Sequence, residues 1–179
     1  MAIGKPLLLT QLDYTIWANQ ILLDALSGMT NEELLRELGA SHGCLLRTLR
    51  HVYDAERAWI DNLLSHSIPS VADIEAAGAA DQSRMLPTYA FLKDSFPKVW
   101  SDARRWLEPL SEDELATELT CVKEDGVTMC LPRWKVLLHM VNHSTLHRGQ
   151  MITMIRALGK RPPNTDRFTY YRFVPSIEG

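Results

Sequence analysis

The chain has 179 residues, about the size of one domain, with 46% apolar and 23% charged residues. That composition supports a sizeable core and excludes a disordered tail. Nineteen Lys and Arg against 22 Asp and Glu give a net charge of −3, which argues against a broad phosphate-facing surface and so against a nucleic-acid partner. No stretch approaches the roughly 20 apolar residues of a membrane span. The run Leu7-Leu8-Leu9, interrupted by Gln11 and Asp13, is too brief for a signal-peptide core. The expectation is a soluble cytoplasmic protein with no membrane partner. Three cysteines, Cys44, Cys121 and Cys130, make neither a disulfide framework nor a C-x-x-C site.

In chain order, Pro6 to Leu26 reads as a first long helix, with Leu9, Leu12, Ile16, Leu23 and Leu26 on one stripe and Gly28 as its stop. Thr30-Asn31-Glu32-Glu33 is a capping box that opens a short helix ending near Gly39. A second long helix is expected from about Ser41 to Ser65. Residues 67–87, with Pro69 and Gly78, read as a loop with one helical turn at most. Thr88 to Leu107 fits a third helix, in which Pro97 should cause a kink or a lost hydrogen bond. Ser111-Glu112-Asp113-Glu114 is a second capping box.

The period then changes. Asp125-Gly126 signals a two-residue hairpin turn, a register that would set Cys121 opposite Cys130. Two reduced thiols packed as small hydrophobes are the expected state rather than a disulfide. Pro132 opens a fourth long helix that Gly159 closes. Within it, Gly149 suggests close approach of a neighbouring backbone. The five tryptophans, Trp17, Trp59, Trp100, Trp106 and Trp134, are expected to pack between helices. The architecture predicted is all-α: a four-helix bundle with short extra helical turns and a small β-hairpin before the last long helix.

Helix four carries the chemistry. His139, His143 and His147 recur every four residues, so each lies only about 40° around from the last and all three line one face. Two His at i and i+4 can aim at one metal ion, but His139 and His147 are about 12 Å apart along the axis, so three cannot converge. A further ligand should come from another helix. The best candidate is His51, in the middle of helix two, whereas His42 and His66 at that helix's ends suit solvent. The competing reading is a polar seam of hydrogen-bonded rings. Asp54, three residues from His51, either orients an imidazole, acts as a general base, or is surface charge. Arg148 suits a salt bridge to an acid such as Glu56 or the holding of an anionic substrate, and Gln150 suits a hydrogen bond behind a ligand.

The segment His139-Met140-Val141-Asn142-His143-Ser144-Thr145-Leu146-His147-Arg148-Gly149-Gln150 resembles the signature of the DinB/YfiT-like family. Tyr14 with Trp17-Ala18-Asn19, His51 with Glu56 and Trp59, and Pro162-Pro163 with Asp166 agree in order over nearly the whole chain. The resemblance implies a single four-helix-bundle domain over residues 1–179 and a divalent metal held by His51, His143 and His147, with His139 outside the set. Imidazole ligands suit zinc or nickel, and also iron, manganese or cobalt. Members of the wider superfamily use such a site to activate a low-molecular-weight thiol, such as mycothiol or bacillithiol, for S-transfer; others resemble hydrolases. The family name refers to DNA-damage induction, a stress-response matter of gene regulation and not of DNA contact. The resemblance also favours a homodimer. Two functions follow: a metal-dependent enzyme acting on a small-molecule substrate or thiol, or a non-catalytic stress protein whose metal is structural. Catalytic and cofactor-binding side chains beyond the ligands are not specified by the sequence.

Overall fold

The computed structural model describes residues 4–66, 85–122 and 128–174. Among these the elements run α1 (Lys5–Leu26), α2 (Asn31–Leu35), α3 (Leu45–Ser65), α4 (Tyr89–Leu107), α5 (Glu112–Ala116), β1 (Glu118–Val122), β2 (Thr128–Pro132), α6 (Arg133–Ala157) and α7 (Arg167–Phe173). The four long helices are those expected, and they form the bundle. Helix α6 packs against α1 and α3, and α4 packs against the same two. The ring order is therefore α1–α6–α3–α4, with the first and second long helices on a diagonal.

Both capping boxes form. The Thr30 hydroxyl accepts from Glu33 N at 3.2 Å while the Glu33 carboxylate accepts from Thr30 N at 2.9 Å, and Ser111 with Glu114 repeats the exchange. Each satisfies amide groups that a helix start otherwise leaves to solvent. Helix α4 runs through Pro97 without interruption; the proline lacks only the one N–H that would have bonded a turn earlier. Gly159, at φ +74°, ends the α6 turn, with Lys160 N returning to Ile155 O at 3.1 Å.

The core divides into two apolar clusters. One joins Leu8 and Leu12 of α1 to Ile60, Leu63, Trp106, Leu137 and Met140. The other joins Leu22 and Leu26 to Leu49, Phe96, Trp100, Met151 and Ile155 at the opposite end. Trp59 and Trp134 border the first cluster, and Trp17 packs on Tyr14 and Tyr170. The chain starts α1 and α6 in the first cluster and ends α3 and α4 there, so α1 runs parallel to α6 and α3 runs parallel to α4.

A polar layer separates the clusters. Glu56, 1% exposed, accepts hydrogen bonds from Asn19 Nδ2 of α1 (2.7 Å), Trp100 Nε1 of α4 (3.1 Å) and Ser144 Oγ of α6 (2.6 Å). All four long helices meet at this carboxylate. Burial pushes its pKa above the ordinary carboxylate value, and the donated hydrogen bonds and the Arg148 cation act against that shift. Arg148, 2% exposed, reaches it through an intermediary: Nη1 donates to Asn19 Oδ1 at 2.8 Å, and Nη2 donates to Thr145 Oγ1 at 2.9 Å. The expected pairing of Arg148 with Glu56 is thus relayed by Asn19.

Several boundaries differ from expectation. Helix α2 ends at Leu35, not near Gly39. Helix α3 starts at Leu45, because Gly39, Ser41 and Gly43 all have positive φ (66°, 52° and 84°) and cannot continue a right-handed helix. The hairpin pairs Thr120 with Cys130 and Cys121 with Met129, one residue away from the register of a two-residue turn, so the two cysteines are not opposite each other. A one-residue slip moves every side chain to the other face. The Asp125-Gly126 turn and most of the 67–87 loop lie outside the described residues. Gly149 is also not a close-approach site: a Cβ built there meets nothing within 4 Å. Gly149→Ala should therefore raise stability, by about 0.5–1 kcal/mol, as helix propensity alone dictates. Urea denaturation checks this, and a loss of stability would show a constraint on that backbone.

Candidate metal centre

Helix α6 presents His143 and His147 one turn apart, and α3 brings His51 to the same place from the neighbouring helix. His143 Nε2 lies 3.0 Å from His51 Nε2 and 3.1 Å from His147 Nε2. Two nitrogens each about 2.1 Å from one ion lie about 3.0–3.4 Å apart for angles from a right angle to tetrahedral. Each of these two spacings suits a pair of ligands on one ion. His51 and His143 are partly buried and His147 is buried.

The hydrogen-bond chemistry of these three rings supports the same reading. A ring nitrogen carries either a proton or a lone pair, so His143 Nε2 cannot donate to one neighbour while accepting from the other. A protein-internal seam makes both neighbours share one proton or one lone pair of His143 Nε2, whereas a cation can take a lone pair from each ring. His147 Nδ1 sits 2.7 Å from Gln150 Oε1, an acceptor, and donates its proton there. That contact leaves His147 Nε2 bare, as a ligand requires.

His42 also belongs to this cluster. Its ring stacks on His51 at 3.9 Å between centroids, and the group whose donor atoms all lie within 4.8 Å of one another, and which could hold a metal ion, is His42, His51 and His147, without His143. A helix starting at Ser41 would leave His42 in solvent. The flanking Gly39 and Gly43 were the signal for a turn, and that turn folds His42 back onto α6. His139 stays outside, its ring edge-on to Trp59 at 4.9 Å. His66 caps α3, with its Nδ1 2.5 Å from Arg133 Nη2. Asp54 accepts from Arg50 Nε at 3.1 Å.

Burial, then the neighbouring rings of His147, His51, His139 and His42, push the His143 pKa down to about 3. Burial lowers His139 and His147 as well. The folded state therefore keeps these rings neutral where the unfolded chain, with His near 6.5, takes up protons. The metal-free protein should hold this stability in full above about pH 6.5 and lose it as the pH falls towards 3. Thermal unfolding of chelated protein across that range tests the sign, and the slope should flatten in His143→Ala.

The model of the DinB family matches residues 5–174. The chain belongs to the DinB family. It is also similar to Protein DinB of Bacillus subtilis (strain 168), 24% identical over 171 residues that cover 93% of this chain and 94% of that protein. The residues that carried the resemblance to DinB proteins have structural roles. Tyr14 donates to Thr165 O at 2.9 Å, Asn19 and Glu56 form the polar layer, and Asp166 caps α7 by accepting from Phe168 N at 2.7 Å. Among the described residues no helix is long and apolar enough to cross a membrane.

Proposed function

We propose that this DinB-family chain is a metal-dependent enzyme whose ion is held by His51, His143 and His147, with one position open to an incoming group. The observation that supports it is that His143 Nε2 lies 3.0 Å from His51 Nε2 of α3 and 3.1 Å from His147 Nε2 of its own helix. Zinc or nickel is the preferred ion on donor chemistry, and iron or manganese also fits imidazole ligands. When bound, the ion lowers the pKa of a low-molecular-weight thiol or of water and supplies a nucleophile at neutral pH. The reaction class is S-transfer to, or hydrolysis of, an electrophilic small molecule.

The chain's own residues hold and orient. Gln150 fixes the tautomer of His147, and the Glu56 layer, through Ser144 beside His143, sets the separation of α3 from α6. No protein nucleophile is required; Cys44 is buried away in the second apolar cluster. The working setting is cytoplasmic, as a homodimer without nucleic-acid or membrane partners, in a stress response.

The test is consumption of a small thiol with an electrophile such as 1-chloro-2,4-dinitrobenzene. The sulfur forms the new bond as chloride leaves. Turnover above the uncatalysed rate should require metal and vanish in His143→Ala. The second reading, a structural metal in a stress protein, draws on His42, a fourth imidazole able to close the site. It predicts metal-dependent stability with no turnover of any thiol or ester.

A further inference from the structure

His42 is the part of the centre that neither helix periodicity nor the three-ligand pattern accounts for. It is exposed, whereas the other rings are partly or fully buried. It rides on the turn between α2 and α3, which is a built structure: Leu38 N bonds Gly43 O at 2.8 Å, and Gly43 N bonds Ala40 O at 2.9 Å. A Cβ on Gly43 would stand 2.3 Å from Glu37 Oε2, so the turn closes tightly around that glycine. The turn aims His42 at the imidazole cluster. Its ring stacks on His51 and lies 5.5 Å from that of His147. Ser41 Oγ stands 3.0 Å from His42 Nδ1 and 3.2 Å from His147 Nδ1. The Ser41 hydroxyl oxygen can accept from His42 Nδ1, which leaves His42 Nε2 free of a proton, while His147 Nδ1 donates its own proton to Gln150 Oε1.

We propose that His42 is a fourth, displaceable ligand of the centre: it fills the open coordination position at rest and yields it to an incoming thiolate. This rests on the three-histidine reading above and specifies how that site is gated. The three helix-borne imidazoles are fixed by packing and by Gln150. His42 is held by a solvent-exposed turn with left-handed residues at 39, 41 and 43, and its neutral nitrogen competes poorly with an anionic sulfur for a cation. The exchange is balanced: the thiol loses its proton to solvent, the sulfur–metal bond forms, and the imidazole–metal bond breaks. Substrate entry thus carries the cost of releasing His42, which keeps a reactive ion shielded until a thiol is present.

Cobalt(II) substitution with 2-mercaptoethanol as probe tests this in parent, His42→Ala and His42→Gln, with circular dichroism to confirm folding. His42→Ala should still take one equivalent of cobalt, with altered visible bands and affinity about 10-fold weaker or more. The sulfur-to-cobalt charge-transfer band should then appear at a thiol concentration about 10-fold lower than in the parent, since no internal competitor must leave. At saturating thiol, parent and variant spectra should coincide. Identical cobalt spectra and thiol midpoints in parent and variants would overturn the proposal while leaving the three-histidine site standing. Loss of all cobalt in folded His42→Ala would overturn it by making His42 an obligatory ligand. A parent that takes no cobalt would remove the three-histidine reading itself.

Discussion

Replacing Arg148 by methionine should destabilise the protein by about 3–5 kcal/mol, a large part of the 5–15 kcal/mol typical of a whole domain. Methionine is similar in length, so little volume is lost; what disappears is the donor set. Asn19 Oδ1 and Thr145 Oγ1 each lose a hydrogen bond, and Glu56, 1% exposed, is left without the cation that offsets its burial. Glu56→Gln alone sets an amide NH2 against donors, because Asn19 and Ser144 both donate to one oxygen and Trp100 donates to the other. The double variant should therefore cost less than the sum of the single ones, a coupling that a double-mutant cycle in urea measures directly. Strict additivity would show that the charges are independent and that the relay through Asn19 carries no energy.

The other large effect falls on metal-dependent stability. Zinc that binds only the folded state stabilises it by mass action, about 2.7 kcal/mol at one hundred times Kd. The parent Tm should rise with added zinc and return on chelation. His143→Ala should abolish the rise, because His143 Nε2 lies 3.0 Å from His51 Nε2 and 3.1 Å from His147 Nε2. His139→Ala should leave it intact, since that ring packs on Trp59. A zinc response that survives in His143→Ala but fails in His42→Ala would move the centre to the His42, His51 and His147 group.

Features set by near neighbours in sequence were legible before the fold was known. Both capping boxes, the Gly159 stop and the α1 stripe through Leu12, Leu23 and Leu26 depend on contacts within one or two turns, and they form where the residues predict. The convergence of His143 and His147 is likewise a consequence of helical repeat. The remainder depended on choices that periodicity does not make. The α3 stripe is compatible with a start at Ser41, but positive φ at Gly39, Ser41 and Gly43 delays the helix to Leu45 and turns His42 into the cluster. The hairpin register followed from an assumed turn length, and one residue of difference separated Cys121 from Cys130. Arg148 and Asn19 are 129 positions apart, and nothing local indicates that one amide would stand between the arginine and Glu56. A glycine inside a helix, as at Gly149, suggests close backbone approach, but open space lies where its side chain would be.

The proposed function requires the imidazole cluster to be a metal site and not a polar seam. Elemental mass spectrometry of protein purified without added metal or chelator, beside His147→Ala prepared identically, tests it most directly. Near one equivalent of a transition metal in the parent and little in the variant is the predicted result. No metal in either, even after incubation with zinc or nickel, would contradict it.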